Sequence, residues 1–272
     1  MTETFILPAT IDDGRLDWAL TILDAAKGAG AIRLDWSKTK EISPAGYAIL
    51  CCLHDFFVEQ KNRVQNLHLS RKLTRFPVVR TMKNVNSFEA LPDPSSYNYE
   101  DQYTVVRGNG TSFDIFFREY LEGKFAHLLG EELLYTCLMI ANELMQNSVD
   151  HSSAERYYVY AGRWGAEFHL GVVDMGVTIP ARLEQKYECP DDLEYLELAL
   201  MKGTGTRRVR AGGLGLYYFF EHCKQFEGKL TIMSRGAQIR RYFKTRRSQK
   251  NALKYPLRGT WCCARFALGE TT

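Results

Sequence analysis

The chain has no apolar run of the roughly 18 to 20 residues needed to cross a bilayer. Its start, "MTETFILPATIDD", lacks the basic stretch and long apolar run of a secretory signal. No membrane partner and a cytoplasmic location are therefore expected. The seven cysteines (Cys51, Cys52, Cys137, Cys189, Cys223, Cys262 and Cys263) are odd in number and include no Cys-x-x-Cys pair. That argues against a disulfide framework or a zinc site, and for reduced thiols packed inside. No Gly-x-x-x-x-Gly-Lys-Ser/Thr loop occurs, and "GTGTRR" lacks the third glycine and preceding strand of a dinucleotide fingerprint. Acid is also missing from one long stretch. Between Gly228 and Gly269 there is no Asp or Glu against eleven Lys or Arg, which leaves 24 basic and 32 acidic residues elsewhere under a net charge of +3.

What is present suffices for buried cores: 272 residues, 45% of them hydrophobic and 12% aromatic, are enough for two folded domains. The first hundred residues alternate short apolar runs ("TFILPA", "AIRLDW", "NLHLS") with helix-spaced ones ("GRLDWALTILDAAK", "SPAGYAILCCLHDFFVEQ"). Strands alternating with helices predict a small α/β domain over residues 1–90 with an at least partly parallel sheet. "LPDPSSYNYEDQ" has the composition of a connector, placed over 91–111. Beyond it, "SFDIFFREYLEGKFAH" and "GEELLYTCLMIANELMQNSVDH" predict two helices, and "RYYVYAG" and "EFHLGVVDMG" a hairpin turning at "RWGA". Helical "DDLEYLELALMKG" and "YYFFEHCKQF" and strands "KLTIMS" and "TWCCARFAL" complete a second α/β unit over 112–272.

Chemistry concentrates in three places. In "ANELMQNSVDHSS", Glu143, Asn147, Asp150 and His151 share one face of an otherwise apolar helix. Buried amides and carboxylates left unpaired cost about 1 to 3 kcal/mol each, so solvent or a ligand must satisfy that face. A carboxylate beside an amide oxygen suits a magnesium ion that keeps its waters and also contacts phosphate. In "VVDMGVTIP", Asp174 follows a buried strand, where it either caps a turn or accepts from a purine amine that Gly176 lets approach. In "RAGGLGLYYFF", Gly212, Gly213 and Gly215 run into a helix, a layout that offers free amides to phosphate or is simply a loop.

In this order the three pieces resemble the GHKL or Bergerat-fold ATPases, the superfamily of gyrase, histidine kinases, mismatch-repair ATPases and anti-sigma-factor kinases. The resemblance covers about residues 112–270. It implies an α/β sandwich holding ATP and Mg²⁺, with Asn147 on the metal, Asp174 and Gly176 at adenine, and Gly212, Gly213, Leu214 and Gly215 around the phosphates. Thr260 would lie beside adenine, and Glu143 would act as general base on water or an acceptor hydroxyl. Lys202, Thr204, Thr206, Arg207, Arg208 and Arg210 form a basic, hydroxyl-rich lid candidate. Thr178 and Ala211 stand where the family has glycine, and some twenty residues near 237–256, "AQIRRYFKTRRSQKNALKYP", interrupt the closing hairpin without a counterpart in the pattern.

The first unit, through "IRLDWSKTKEISPAGYAIL", resembles the STAS domains of anti-sigma-factor antagonists. Ala45 stands at the phosphoacceptor position, so this domain would not be phosphorylated there. A plain strand-to-helix connection, with Ser43 as N-cap and Pro44 at the first helical position, accounts for the same residues. The leading expectation is thus an ATP-binding regulator that acts on a protein partner and, like many GHKL modules, can form a homodimer. Its alternatives are a serine/threonine kinase of the anti-sigma type acting on a separate acceptor, and a nucleic-acid-binding protein using the basic stretch from Arg235 to Arg258.

Overall fold

The computed structural model describes residues 2–14, 16–76, 78–79, 103–109, 116–204 and 215–269. Three short strands, β1 (Thr2–Ile6), β3 (Ala31–Asp35) and β5 (Arg63–Leu67), form a parallel sheet in the order β1-β3-β5. β2 (Thr10–Ile11) and β4 (Glu41–Ile42) form a separate parallel pair. Helices α1 (Asp17–Ala26) and α2 (Pro44–Glu59) make the crossovers that parallel strands require. Ser43 caps α2, its Oγ accepting the Gly46 N–H at 3.0 Å, and Pro44 opens the helix. A Cβ on Gly46 would collide with the Ile11 carbonyl, so this turn demands glycine. Ala45 is fully buried.

α2 decides how the two halves relate. Fourteen of its sixteen residues are buried, because one side covers the parallel sheet and the other lies on strands β7 and β8 of a second sheet. The second sheet runs β6 (Tyr103–Asn109), β7 (Arg156–Trp164), β8 (Glu167–Asp174), β10 (Arg247–Ala267) and β9 (Lys229–Tyr242), all antiparallel. Residues 103–109, inside the stretch read as a connector, therefore belong to this sheet. The connector's remaining residues, 91–102 and 110–111, lie outside the described ones.

Period-two alternation sends side chains to two cores. Tyr158, Tyr160, Val173, Trp261 and Cys263 face α1 and α2, in one core with Leu34, Ile49 and Phe57. Tyr157, Val159, Phe168, Leu170, Val172 and Ala264 face the opposite way, toward α3 (Phe116–Asn147) and α6 (Gly215–Gln225). α3 is broken at Gly130 (φ 64°, ψ 162°) into the two helices that the sequence predicts. The hairpin turn at Gly165 has φ 62°, and two short helices, α4 (Ile179–Leu183) and α5 (Asp192–Ala199), follow β8. All seven cysteines are free, six of them buried and Cys189 half-buried.

The basic insertion has a structural explanation. The Phe243 N–H donates to the Gly228 carbonyl at 3.0 Å, and Arg235 is left-handed (φ 51°), so β9 doubles back at Arg235–Gly236. β10 pairs with both halves: Arg247–Ala252 against Tyr242–Ala237, then Thr260–Arg265 against Ser234–Lys229. The extra residues extend the sheet at its edge.

Candidate functional site

α3 ends in a wider π turn, Ser148–Ser152, and such turns recur at functional sites. The turn presents Asn147, Ser148, His151 and Ser152 to one side of an open cavity of about 830 Å³. The end of β8 supplies Asp174, α4 supplies Thr178 and Arg182, β10 supplies Thr260 and Cys262, and the start of α6 supplies Gly215 and Leu216. Asn147, Asp174, Thr204, Gly215 and Thr260, scattered over more than a hundred positions, line this one space.

At its closed end lies Asp174, only 3% exposed. Its carboxylate accepts the Gly176 N–H at 2.8 Å and the Thr260 backbone N–H, and Ser148 Oγ lies 3.4 Å away. Burial outweighs these bonds and pushes the carboxyl up to about 7. Gly176 does not line the cavity; its place is fixed by close approach, since a Cβ there would strike the Ser152 carbonyl. Gly259 (φ 83°) is likewise pressed against the Asp174 carbonyl.

Asn147 lines the cavity and Glu143 does not, but both converge on the first residue of α6. A Cβ on Gly215 would stand 2.9 Å from both Glu143 Oε2 and Asn147 Nδ2. Asn147 Nδ2 is buried and has no hydrogen-bond partner among the described residues. Lys202 is exposed and lies off the cavity lining. Gly212, Gly213, Leu214, Thr206, Arg207, Arg208, Arg210 and Ala211 lie outside the described residues.

Thr178, where the family pattern has glycine, caps α4: its Oγ1 accepts the Ala181 N–H at 3.3 Å. Sequence reasoning missed Ser148, Ser152, Arg182 and Ser234. Ser148 and Ser152 are four apart on the face of Leu144, a spacing that could have flagged them. Arg182 donates to the His151 carbonyl at 2.6 Å and to Ser153 Oγ at 2.8 Å, and so ties α4 to the π turn. Ser234 accepts the Ile179 N–H at 2.9 Å and lies 2.8 Å from the Gly259 carbonyl. No local pattern marks either residue, because their partners are 25 to 55 positions away.

No family model matches this chain, and no curated protein matches it. What the site can do rests on its own chemistry: a buried carboxyl, an unsatisfied amide, and apolar walls from Leu144, Val172 and Leu183.

Proposed function

We propose that the cavity binds Mg-ATP and that the protein is a nucleotide-dependent regulator of a protein partner, built as a Bergerat-type ATP site with a STAS-like unit on the back of its sheet. The observation that carries this reading is the pairing of two unmet demands in one cavity, the buried Asp174 carboxyl and the orphaned Asn147 amide. Each is costly alone, and a purine with phosphates answers both.

Asp174 is held by the Gly176 and Thr260 amides, which leaves lone-pair directions to accept an N–H from a base. A donor there favours the ionised carboxylate and draws its pKa back down, so binding near pH 7 releases a proton. Asn147 and Glu143 offer oxygens where a triphosphate and magnesium would sit, and a bound magnesium supplies charge neutralisation of the phosphates. No group of three or more His, Cys, Asp or Glu residues forms a metal cage among the described residues. That suits an ion that takes most of its ligands from phosphate and water. In this reading Glu143, whose Oε2 would stand 2.9 Å from a Cβ on Gly215, would polarise a water as general base. Ala45 has no hydroxyl to take a phosphoryl group, so a phosphotransfer activity would need a separate acceptor protein.

A thermal unfolding scan with and without magnesium and ATP, on the intact chain and on Asn147→Ala, tests the reading. Ligand at about 100 times its dissociation constant adds roughly 2.7 kcal/mol, or about 5 to 10 °C. The shift is expected to need magnesium and to vanish in the variant. No shift at millimolar ATP sinks the proposal.

A further inference from the structure

The fold neutralises the eleven cations between Gly228 and Gly269 unequally. Arg235 pairs with Glu184 and Asp192, Arg241 and Lys250 with Glu197, and Arg258 with Glu59. Lys229 pairs with Glu167, and Arg265 with Asp13. Arg240 donates to the carbonyls of Asp13 and Gly14 at 2.9 and 2.8 Å. Every one of these acids comes from outside the stretch, so folding cancels most of a charge excess that the sequence shows as continuous. Besides Arg240, whose charge meets only carbonyl oxygens, and Lys254, whose ammonium lies over the Tyr255 ring at 5.1 Å, what survives is concentrated at one point. Lys244, Arg246 and Arg247 sit within four residues, at the turn that joins the two added strands. All three are exposed, and none forms an ion pair among the described residues.

The surroundings narrow the partner. Residues 244–251 are all exposed and include no apolar side chain, which leaves nothing to enter a lipid interface. The adjacent aromatics are engaged: Phe243 packs edge-on against Phe220 at 5.2 Å, and Tyr242 Oη is bonded to Gln249 at 3.3 Å. Neither ring belongs to the exposed run of residues 244–251, which carries no aromatic on which unpaired bases could stack. Thr245, Ser248, Gln249 and Asn251 add donors beside the cations. A two-stranded ribbon is also narrow enough to enter a duplex major groove about 12 Å wide.

We propose that this cationic hairpin tip docks on the phosphate backbone of a DNA duplex, without reading its sequence. Arg246 holds a left-handed backbone (φ 51°), a conformation that suits glycine and that arginine adopts at a cost. The proposal does not depend on what occupies the cavity.

The test is fluorescence anisotropy of the full chain with labelled 20-base-pair duplex DNA and, separately, duplex RNA, from 50 to 200 mM KCl. Three phosphate contacts give a log–log salt slope of about −2.7, a loss of roughly 40-fold across that range. The triple variant Lys244→Gln, Arg246→Gln, Arg247→Gln is expected to remove that salt dependence while unfolding at the same temperature. The single variant Arg246→Gly is expected to raise the melting temperature and weaken binding, two changes that a merely structural arginine would not combine. Binding of the DNA duplex in preference to the RNA duplex supports the proposal, and binding of RNA alone overturns it. Absence of duplex binding overturns it, as does equal binding by the triple variant, or capture of the tip by phosphatidylserine vesicles in place of duplex.

Discussion

Replacing Asp174 with asparagine removes an ionisable group from the closed end of the cavity and should make the free protein more stable at alkaline pH. The carboxyl titrates near 7 when folded and near 3.8 when unfolded. The native state therefore holds the extra proton between those values, and stability falls as pH rises through that window. The contribution is intact below about 4 and lost above about 7. At 1.36 kcal/mol per pKa unit, the stability difference between Asp174→Asn and the parent should move by about 3 kcal/mol in favour of the variant between pH 4.5 and pH 8. Urea unfolding of both proteins at several pH values measures it, and the comparison cancels every other titrating group. Any constant cost of the amide shifts the whole difference curve but leaves its slope. A difference that changes by less than about 1 kcal/mol across that range would refute a buried, strongly shifted Asp174. Saturating Mg-ATP should flatten the parent's own curve, because an N–H donor from the base favours the charged form.

Three further outcomes follow from the packing. Gly259→Ala places a Cβ against the Asp174 carbonyl at a left-handed backbone, and is expected to cost about 3 kcal/mol in denaturant unfolding; a loss below about 1 kcal/mol contradicts the close approach. Tyr158→Phe deletes the hydroxyl that donates to Asp55 Oδ2 at 2.6 Å between the second sheet and α2, and should cost about 1 to 2 kcal/mol; an unchanged urea midpoint would show that this bond contributes nothing. Residues 1–79 expressed alone should lack cooperative unfolding, since the side of α2 that meets β7 and β8 is then bare; a sharp melting transition in the fragment would mean that its core closes by itself.

Local order was legible in the sequence because local rules govern it. Ser43 and Pro44 announced the start of α2, Gly130 stands where the two predicted helices part, and "RWGA" turned a hairpin whose strands alternate as read. Five residues proposed for one site from their order along the chain do line one cavity. Glu143, Gly176 and Lys202 do not: Glu143 and Gly176 sit behind the lining, and the exposed loop position of Lys202 is set by backbone course that no periodicity constrains.

Which segments are helix or strand, and which polar residues interrupt apolar faces, depends on spacing over a few residues and can be read along the chain. Tertiary structure alone decided the rest. It buried α2 on both sides and joined two apparent domains through one core, and it folded β9 back on itself so that an unexplained insertion became sheet. Acids from distant elements then cancelled most of a basic stretch and left three cations at its tip. It also pushed up the pKa of Asp174, because a carboxyl's pKa depends on how much water the surrounding walls exclude, and those walls come from helices and strands far away in the chain.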